Sequence, residues 1–401
     1  MLNPTLGKVP ESCWRKLERL FADMGPPSHQ SPIALHVGDP EHAVPSFMVD
    51  AIVEHQAGFR AYSPITGTPA LREAICGWLQ RRYGLPDGMV TGDGDVLPVA
   101  GLREAMFLIG VVVIPRQKSG AQPLVAIPDP FYHAYIGAAT SLGAEPLLMP
   151  AVAENGYLPD FAGLPAKQLS RLAVAYLCTP ANPQGVAADH RYLKRQIQAA
   201  RKHDFVLLVD ECYADIYTGA APMGVLEACT ELGGSLDNVL AFHSLSKRSN
   251  VPGLRSGFAA GDARLLREFK TLRDSGGVAI PLPVQAASAA LWNDDQHADE
   301  SRRLYVPKFD AAAEIFGNRF GFYKPDGGMF LWLKVGDCEH AARELWGREG
   351  VKVMPGRYMS SRQPDGDEPG AGYLRVALVP DLETTIEALQ RMERVLSSLD
   401  Q

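Results

Sequence analysis

Short apolar runs alternate with amphipathic segments through the middle of the chain, and each apolar run ends at a proline, an aspartate or a serine. Runs of this length that are partly β-branched or aromatic predict strands. The predicted strands are Leu124–Pro128, Leu172–Pro180, Phe205–Asp210, Val239–Ser244 and Gly257–Asp262. Because these strands are apolar throughout rather than alternating, we expect them to be buried on both faces of a sheet.

A helix is predicted between the second and third of these strands, at His190–Asp204, where Leu193, Ile197 and Ala200 share one face. Apolar strands separated by helices indicate an α/β fold with a mostly parallel central sheet between helices. In such sheets ligands bind at the carboxyl ends of the strands.

The C-terminal part of the chain has a different pattern. Asp294–Phe320 predicts a long helical segment with Pro307 as a kink, and Gly327–Val335 and Gly372–Val379 predict strands. We therefore expect a large α/β domain at residues 46–293. A smaller α+β domain would be formed by residues 1–45 and 294–401.

Composition narrows the class of protein. The 401 residues are 46% hydrophobic and 21% charged, with a net charge of −7. No block of lysine and arginine is present, so a nucleic-acid partner is not expected. The six cysteines form no C-x-x-C pair and the N-terminus has no apolar signal segment. No apolar stretch is long enough for a membrane span. These features predict a cytoplasmic globular protein with no metal site.

Lys247 follows an apolar strand and two serines in the stretch FHSLSKRSNVPGLRSGF. Three interpretations are open: a solvated loop lysine, a serine acyl-enzyme in which Ser244 is the nucleophile of an S-x-x-K motif, or a lysine that binds an aldehyde cofactor as a Schiff base. The acyl-enzyme motif is normally accompanied by S-D-N and K-T-G triplets, and neither triplet occurs here. The Schiff-base interpretation explains more of the surrounding residues.

A phosphorylated aldehyde cofactor needs anchors for a dianion and a partner for its ring. Ser244, Ser246 and Arg255 offer hydroxyl and guanidinium donors in the loop of Lys247. A turn at Gly101 is predicted to open a helix whose first N–H groups could bind phosphate. Asp210, at the end of a strand, could keep a pyridine nitrogen protonated.

The chain resembles the fold-type I pyridoxal-phosphate aminotransferases of class I/II over nearly its full length. The matching segments, in order, are LHVGDPEH, AYSPITGTPALREAI, PVAGLREA, PDPFYHAY, CTPANPQG, VDECY, HSLSKRSNVPGLRSG, PDGGMFLWL, VMPGRY and GYLRVAL. The resemblance implies a fold-type I transferase fold, pyridoxal 5′-phosphate as cofactor, and amino acids and 2-oxo acids as substrates.

The resemblance also implies roles for individual residues. Lys247 would bind the cofactor and move the proton, with Asp210 and Tyr213 as the other catalytic residues. The implied cofactor-binding residues are Gly101, Leu102, Arg103, Tyr132, Asn182, Asp210, Tyr213, Ser244, Lys247 and Arg255, together with Tyr62 from a neighbouring subunit. The implied substrate-binding residues are Gly38, Asn182 and Arg375. A contribution from Tyr62 implies a homodimer with shared active sites.

Within the class, the chain looks most like the N-succinyldiaminopimelate aminotransferases of lysine and diaminopimelate biosynthesis. Such an enzyme moves an amino group between L-glutamate and N-succinyl-2-amino-6-oxopimelate by a ping-pong mechanism. Arg103, Arg248 and Arg357 are candidates for binding the distal carboxylate. The alternatives are an aspartate or broad-specificity aminotransferase, a pyridoxal-phosphate lyase or decarboxylase, and a binding protein without catalysis.

Overall fold

The computed structural model describes residues 4–363 and 366–399. The helices are α1 Cys13–Leu20, α2 Ser46–Glu54, α3 Pro69–Tyr83, α4 Leu102–Val113, α5 His133–Ser141, α6 Ala166–Leu169, α7 His190–His203, α8 Val225–Thr230, α9 Leu245–Arg248, α10 Ala263–Gly276, α11 Leu282–Asn293, α12 Gln296–Phe316, α13 Cys338–Glu349 and α14 Leu382–Leu399. The strands are β1 Ile33–Ala34, β2 Val96–Val99, β3 Leu124–Asp129, β4 Glu145–Pro150, β5 Leu172–Cys178, β6 Val206–Asp210, β7 Val239–Ser244, β8 Gly257–Gly261, β9 Phe330–Lys334, β10 Val351–Lys352, β11 Met354–Pro355 and β12 Tyr373–Ala377.

A seven-stranded sheet forms the centre of the molecule, with the strand order β2-β8-β7-β6-β5-β3-β4. The pairs β3–β4, β3–β5, β5–β6 and β6–β7 are parallel, whereas β8 runs antiparallel to both of its neighbours. The five strands predicted from the sequence are all present, and the predicted mostly parallel α/β sheet is confirmed. In register, Cys178 pairs with Asp210 and Asp210 pairs with Phe242, so β5, β6 and β7 end side by side.

Helices cover both faces of this sheet, which explains why its inner strands are apolar along their whole length. On one face, Trp78 of α3, Ile197 of α7 and Leu291 of α11 pack into one core. On the other face, Ile109 of α4, Tyr135 of α5 and Phe269 of α10 pack into a second core. The predicted helix at 190–204 is α7, and Asp189 caps its first turn by accepting from the Tyr192 N–H.

A separate antiparallel sheet with the order β11-β12-β9 lies in the C-terminal part of the chain. Its apolar side chains share a third core with α12, α13 and α14 and with Leu17 of α1. Strand β1 pairs with β10 and so joins the N-terminal segment to this part. The predicted long helical segment is α12, with Pro307 inside it.

The boundaries at 45/46 and 293/294 stay a prediction, and residues 1–3, 364–365 and 400–401 of the proposed smaller domain lie outside the described residues. Within the described ranges, no helix combines the length and apolarity needed to cross a membrane. The same ranges contain no group of three or more His, Cys, Asp or Glu side chains arranged to hold a metal ion.

Candidate active site

The carboxyl ends of β5, β6 and β7 border an open cavity of about 1490 Å³. This edge is where ligands bind in open α/β sheets. The sequence-predicted residues that line the cavity are Gly38, Leu102, Arg103, Tyr132, Asn182, Asp210, Tyr213, Ser244, Lys247, Arg255 and Arg375. Residues from remote parts of the sequence therefore meet around one space.

Lys247 lies in α9, a single helical turn that begins directly after β7. Its side chain is 14% exposed, and Nζ donates a hydrogen bond to the Gly38 carbonyl and lies 3.6 Å from Asp39 Oδ1. Burial lowers the pKa of Lys247 below the usual lysine value, against the opposing effect of Asp39. The solvated-loop interpretation is therefore wrong, because this amine is enclosed and held toward its neutral, nucleophilic form.

Ser244 does not have the environment that the acyl-enzyme alternative requires. Its Oγ hydrogen-bonds to Ser246 Oγ at 2.9 Å and accepts from the Ser246 N–H at 3.1 Å, which caps the first turn of α9. Nζ of Lys247 instead contacts Gly38 and Asp39. A serine nucleophile needs a base within hydrogen-bonding reach, and Lys247 does not serve as one here.

Asp210 is buried at the floor of the cavity. Tyr135 Oη donates to its Oδ2 at 2.7 Å, and the Cys212 N–H donates to its Oδ1 at 3.2 Å. Burial raises the pKa of Asp210, and the hydrogen bond from Tyr135 opposes that rise. Tyr135 was not among the residues predicted from the sequence. Its position three residues after Tyr132, at the start of a helix, was the available signal.

Gly101 and Arg255 form one corner of the site, at the N-terminus of α4. Gly101 has φ of +93°, and a Cβ built on it would lie 1.9 Å from Arg255 Nη2, so only glycine fits. Arg255 donates to the Pro252 carbonyl through Nη1 at 3.0 Å. Among the described residues it forms no ion pair with a carboxylate, so its remaining N–H groups are available to a ligand. A guanidinium beside a helix N-terminus suits a phosphate dianion.

Leu102 departs from the polar residue usual after this glycine in the aminotransferases that the chain resembles. Its apolar side chain is buried in the core formed by α4, so only backbone N–H groups face the corner at this position.

Arg375, on β12, is a second guanidinium without a carboxylate partner among the described residues. It donates to Asn182 Oδ1 at 3.2 Å and to the His36 carbonyl at 2.8 Å, and it lies 4.5 Å from the Phe330 ring centroid. Its buried Nε makes no hydrogen bond with any residue that the structure describes. Burial lowers the pKa of Arg375. A buried cation with an unused donor is costly unless an anion completes it, which fits a carboxylate ligand.

The aromatic predictions have different outcomes. Tyr132 and Tyr213 both line the cavity. The Oη of Tyr132 accepts from Arg103 Nε at 2.8 Å, and the Tyr213 ring packs against Phe330 with ring centroids 5.7 Å apart. Tyr62 is fully exposed and does not line the cavity of its own chain.

Two of the three candidates for a distal carboxylate do not line the cavity. Arg248 is buried away from the cavity in ion pairs with Asp215 and Asp295. Arg357 pairs with Glu339 and Glu368. The charges of these two guanidinium groups are already neutralised by their carboxylate partners. Arg103 is the candidate of the three that lines the cavity.

The arrangement fits pyridoxal phosphate: a phosphate corner at Gly101 and Arg255, a carboxylate at Asp210 for the ring nitrogen, and a buried amine at Lys247. The family model for class I and II aminotransferases matches residues 30–392. The chain belongs to this family, whose members are pyridoxal-phosphate-dependent aminotransferases with the fold-type I architecture.

Particular relatives cover almost the whole chain. An aminotransferase structure from Neisseria meningitidis has a TM-score of 0.92 and 36% identity, covering 98% of this chain and 99% of that one. The 4-dedimethylamino-4-oxo-anhydrotetracycline transaminase OxyQ of Streptomyces rimosus is 32% identical, covering 90% of this chain and 92% of its own length. An LL-diaminopimelate aminotransferase of Dehalococcoides mccartyi is 32% identical over 87% of both chains.

Proposed function

We propose that this aminotransferase moves an amino group between L-glutamate and N-succinyl-2-amino-6-oxopimelate, with Lys247, Asp210 and Tyr213 as catalytic residues. The observation that carries the proposal is a buried amine that lines one cavity together with two guanidinium groups, which lack carboxylate partners among the described residues. One guanidinium, Arg255, suits the cofactor phosphate. The other, Arg375, suits the α-carboxylate that every amino-acid substrate shares.

Pyridoxal phosphate, when bound, supplies an aldehyde that carries the amino group between the two half-reactions and a ring that accepts electrons. Asp210 would hold a proton on the ring nitrogen, because its carboxylate lies at the floor of the cavity and Tyr135 and Cys212 fix its two oxygens. Tyr213, Asn182 and Tyr132 line the same cavity, where the first two would hold the ring hydroxyl and Tyr132 would contact the ring.

Lys247 moves the proton at the substrate Cα. Its burial favours the neutral amine, which is the form that can accept a proton. Arg375 orients the substrate by holding the α-carboxylate with its two-pronged guanidinium, and Asn182 fixes that guanidinium through its side-chain oxygen. Gly38 lies over the substrate, and its carbonyl accepts from Lys247 Nζ.

The choice of acceptor rests on the sequence segments that look like succinyldiaminopimelate aminotransferases. The site must accept short glutamate and a longer acyl substrate in turn, and the open cavity of about 1490 Å³ provides room for both. Arg103 would bind the distal carboxylate. LL-diaminopimelate is the second candidate substrate, because one relative at 32% identity is named for it.

We also propose that the active protein is a homodimer in which Tyr62 of each chain reaches the phosphate corner of the other. The full exposure of Tyr62 in the single chain, outside its own cavity, supports this proposal. Tyr62→Phe should then weaken cofactor binding only under conditions where the protein is dimeric.

The experiment is a panel of single half-reactions. Cofactor-loaded protein is mixed separately with glutamate, aspartate, N-succinyl-LL-diaminopimelate and LL-diaminopimelate, and the absorbance of the bound cofactor is followed. Conversion by glutamate and the succinylated substrate supports the proposal. Conversion by LL-diaminopimelate alone would favour the second candidate. Release of ammonia or carbon dioxide in place of a 2-oxo acid would instead indicate a lyase or decarboxylase.

Lys247→Ala tests the catalytic assignment. The variant should lose conversion of every substrate while keeping its fold, and Lys308→Met provides the matched control. Lys308 is also a buried lysine, but its Nζ contacts the Leu378 and Val379 carbonyls and does not line the cavity. Near wild-type turnover by Lys247→Ala would refute the assignment.

A further inference from the structure

The backbone of Lys247 belongs to a very short helix. Helix α9 has four residues, and one turn of helix gains too little from its own hydrogen bonds to be stable alone. Its geometry must therefore come from what its other side chains bind. The residue directly after Lys247 is Arg248, which points away from the cavity and is almost fully buried.

The guanidinium of Arg248 is held from several sides. Nη1 donates to Asp215 Oδ2 at 2.5 Å, and Nη2 donates to Asp295 Oδ1 at 2.7 Å and to the Asp294 carbonyl at 2.9 Å. The group also lies 5.4 Å and 5.5 Å from the ring centroids of Trp78 and Trp292. With 4% of the side chain exposed, these contacts allow the guanidinium very little movement.

Asp215, the ion-pair partner of Arg248, connects α9 to the segment that follows β6. It lies in the turn after β6, two residues beyond Tyr213, and that turn is closed by the Ile216 N–H donating to the Tyr213 carbonyl at 2.9 Å. The second carboxylate oxygen of Asp215, Oδ1, accepts from Arg82 Nε at 3.0 Å. Although burial alone would raise the pKa of Asp215, Arg248 and Arg82 hold it below the usual value, which favours the carboxylate form of Asp215.

We propose that Arg248 and Asp215 are positioning residues for the reaction: their buried ion pair fixes Lys247, after β7, relative to Asp210 and Tyr213, after β6. This inference rests on the roles proposed above for those three residues. Neither Arg248 nor Asp215 lines the active-site cavity, so both act through the backbone turns that they join. An error of about 1 Å in such a placement costs about 100-fold in rate.

The test compares Arg248→Lys with Arg391→Lys. A lysine keeps the charge at position 248 but cannot hold both carboxylates and the Asp294 carbonyl in the fixed guanidinium geometry. Arg391 is a matched control: its side chain is 8% exposed, it donates to the Ser31 and Glu349 carbonyls at 3.0 Å, and it pairs with Glu387 far from the cavity. Both variants should lose thermal stability.

Of these two variants, only Arg248→Lys should change the active site. We expect kcat with glutamate to fall about 10- to 100-fold while KM stays within about threefold, because Arg375 is untouched. The pH midpoint of the bound cofactor's absorbance should shift in Arg248→Lys and not in Arg391→Lys. Asp215→Asn should reproduce the same pattern and provides the test if Arg248→Lys does not fold.

The inference is overturned if kcat and the absorbance midpoint of Arg248→Lys and Asp215→Asn match those of Arg391→Lys. The pH midpoint of the bound cofactor's absorbance is measured without substrate. A wild-type protein that binds the cofactor but does not react with glutamate would therefore count against the proposed function alone.

Discussion

The contact between Gly101 and Arg255 gives the most direct test of the cofactor site, through the substitution Gly101→Ala. The added Cβ would lie 1.9 Å from Nη2 and 2.5 Å from Cζ of Arg255, so the guanidinium must leave its position. The backbone at Gly101, with φ of +93° and ψ of 152°, is also a conformation that only glycine adopts without strain.

The expected effect has two separable parts. Backbone strain should cost about 1–3 kcal/mol of folding free energy. Displacing Arg255 should remove at least one charge-assisted hydrogen bond to phosphate, worth about 1.5–3 kcal/mol, so the Kd for pyridoxal phosphate should rise by at least about 10- to 150-fold. Equilibrium binding followed by absorbance gives the second quantity, and thermal unfolding gives the first.

Gly317→Ala is the matched control for strain. Gly317 ends α12 with φ of 57° and ψ of −124°, and a Cβ there would have no atom within 4 Å. This variant should lose stability and keep the wild-type Kd. If Gly101→Ala binds the cofactor as tightly as Gly317→Ala, then Arg255 does not hold the phosphate.

Three further predictions follow from individual contacts. Tyr135→Phe removes the 2.7 Å hydrogen bond to Asp210 and should lower kcat about 10-fold or more. Tyr176→Phe, whose hydroxyl instead donates to the Met106 carbonyl, should leave kcat unchanged, and equal rates for the pair would contradict the role of Tyr135. Arg375→Lys should raise KM for glutamate about 10- to 100-fold, because an ammonium cannot bind a carboxylate in two places; an unchanged KM would exclude Arg375 as the carboxylate site. Burial raises the pKa of Asp129 to about 6, so this carboxyl stabilises the fold most below the unfolded pKa near 4, and the contribution is lost as pH rises through 6. Between pH 4 and 7 the unfolding free energy of wild type should therefore fall relative to Asp129→Asn by up to about 3 kcal/mol, measured by urea denaturation, and parallel pH curves would refute this.

Much of the fold could be predicted because its strands carry strong local signals. Val239–Ser244 was predicted residue for residue, since an apolar run ends there at a serine that caps the next helix. Strand β4 was not predicted. It lies at the sheet edge with most of its residues half-buried and contains two prolines, so it lacks the continuous apolar pattern of the inner strands.

The site was less predictable where a side chain's role depends on a remote partner. Arg248 was a candidate for the distal carboxylate because the sequence shows its charge but not the two carboxylates, 33 and 47 positions away, that neutralise it. Tyr135 was missed because its bond to Asp210 joins residues 75 positions apart. The phosphate corner was predicted because Gly101 and Arg255 each belong to a local motif.

The antiparallel direction of strand β8 affects which parts of this site can vary independently. A parallel strand in that place would need a crossover that runs back to the opposite edge of the sheet. The connection from β7 to β8, residues 245–256, instead stays at one edge of the sheet and carries both Lys247 and Arg255. One continuous segment therefore sets the separation of these two side chains, and we expect differences in substrate preference to arise from other residues of the cavity, such as Arg103 and those at the start of α1.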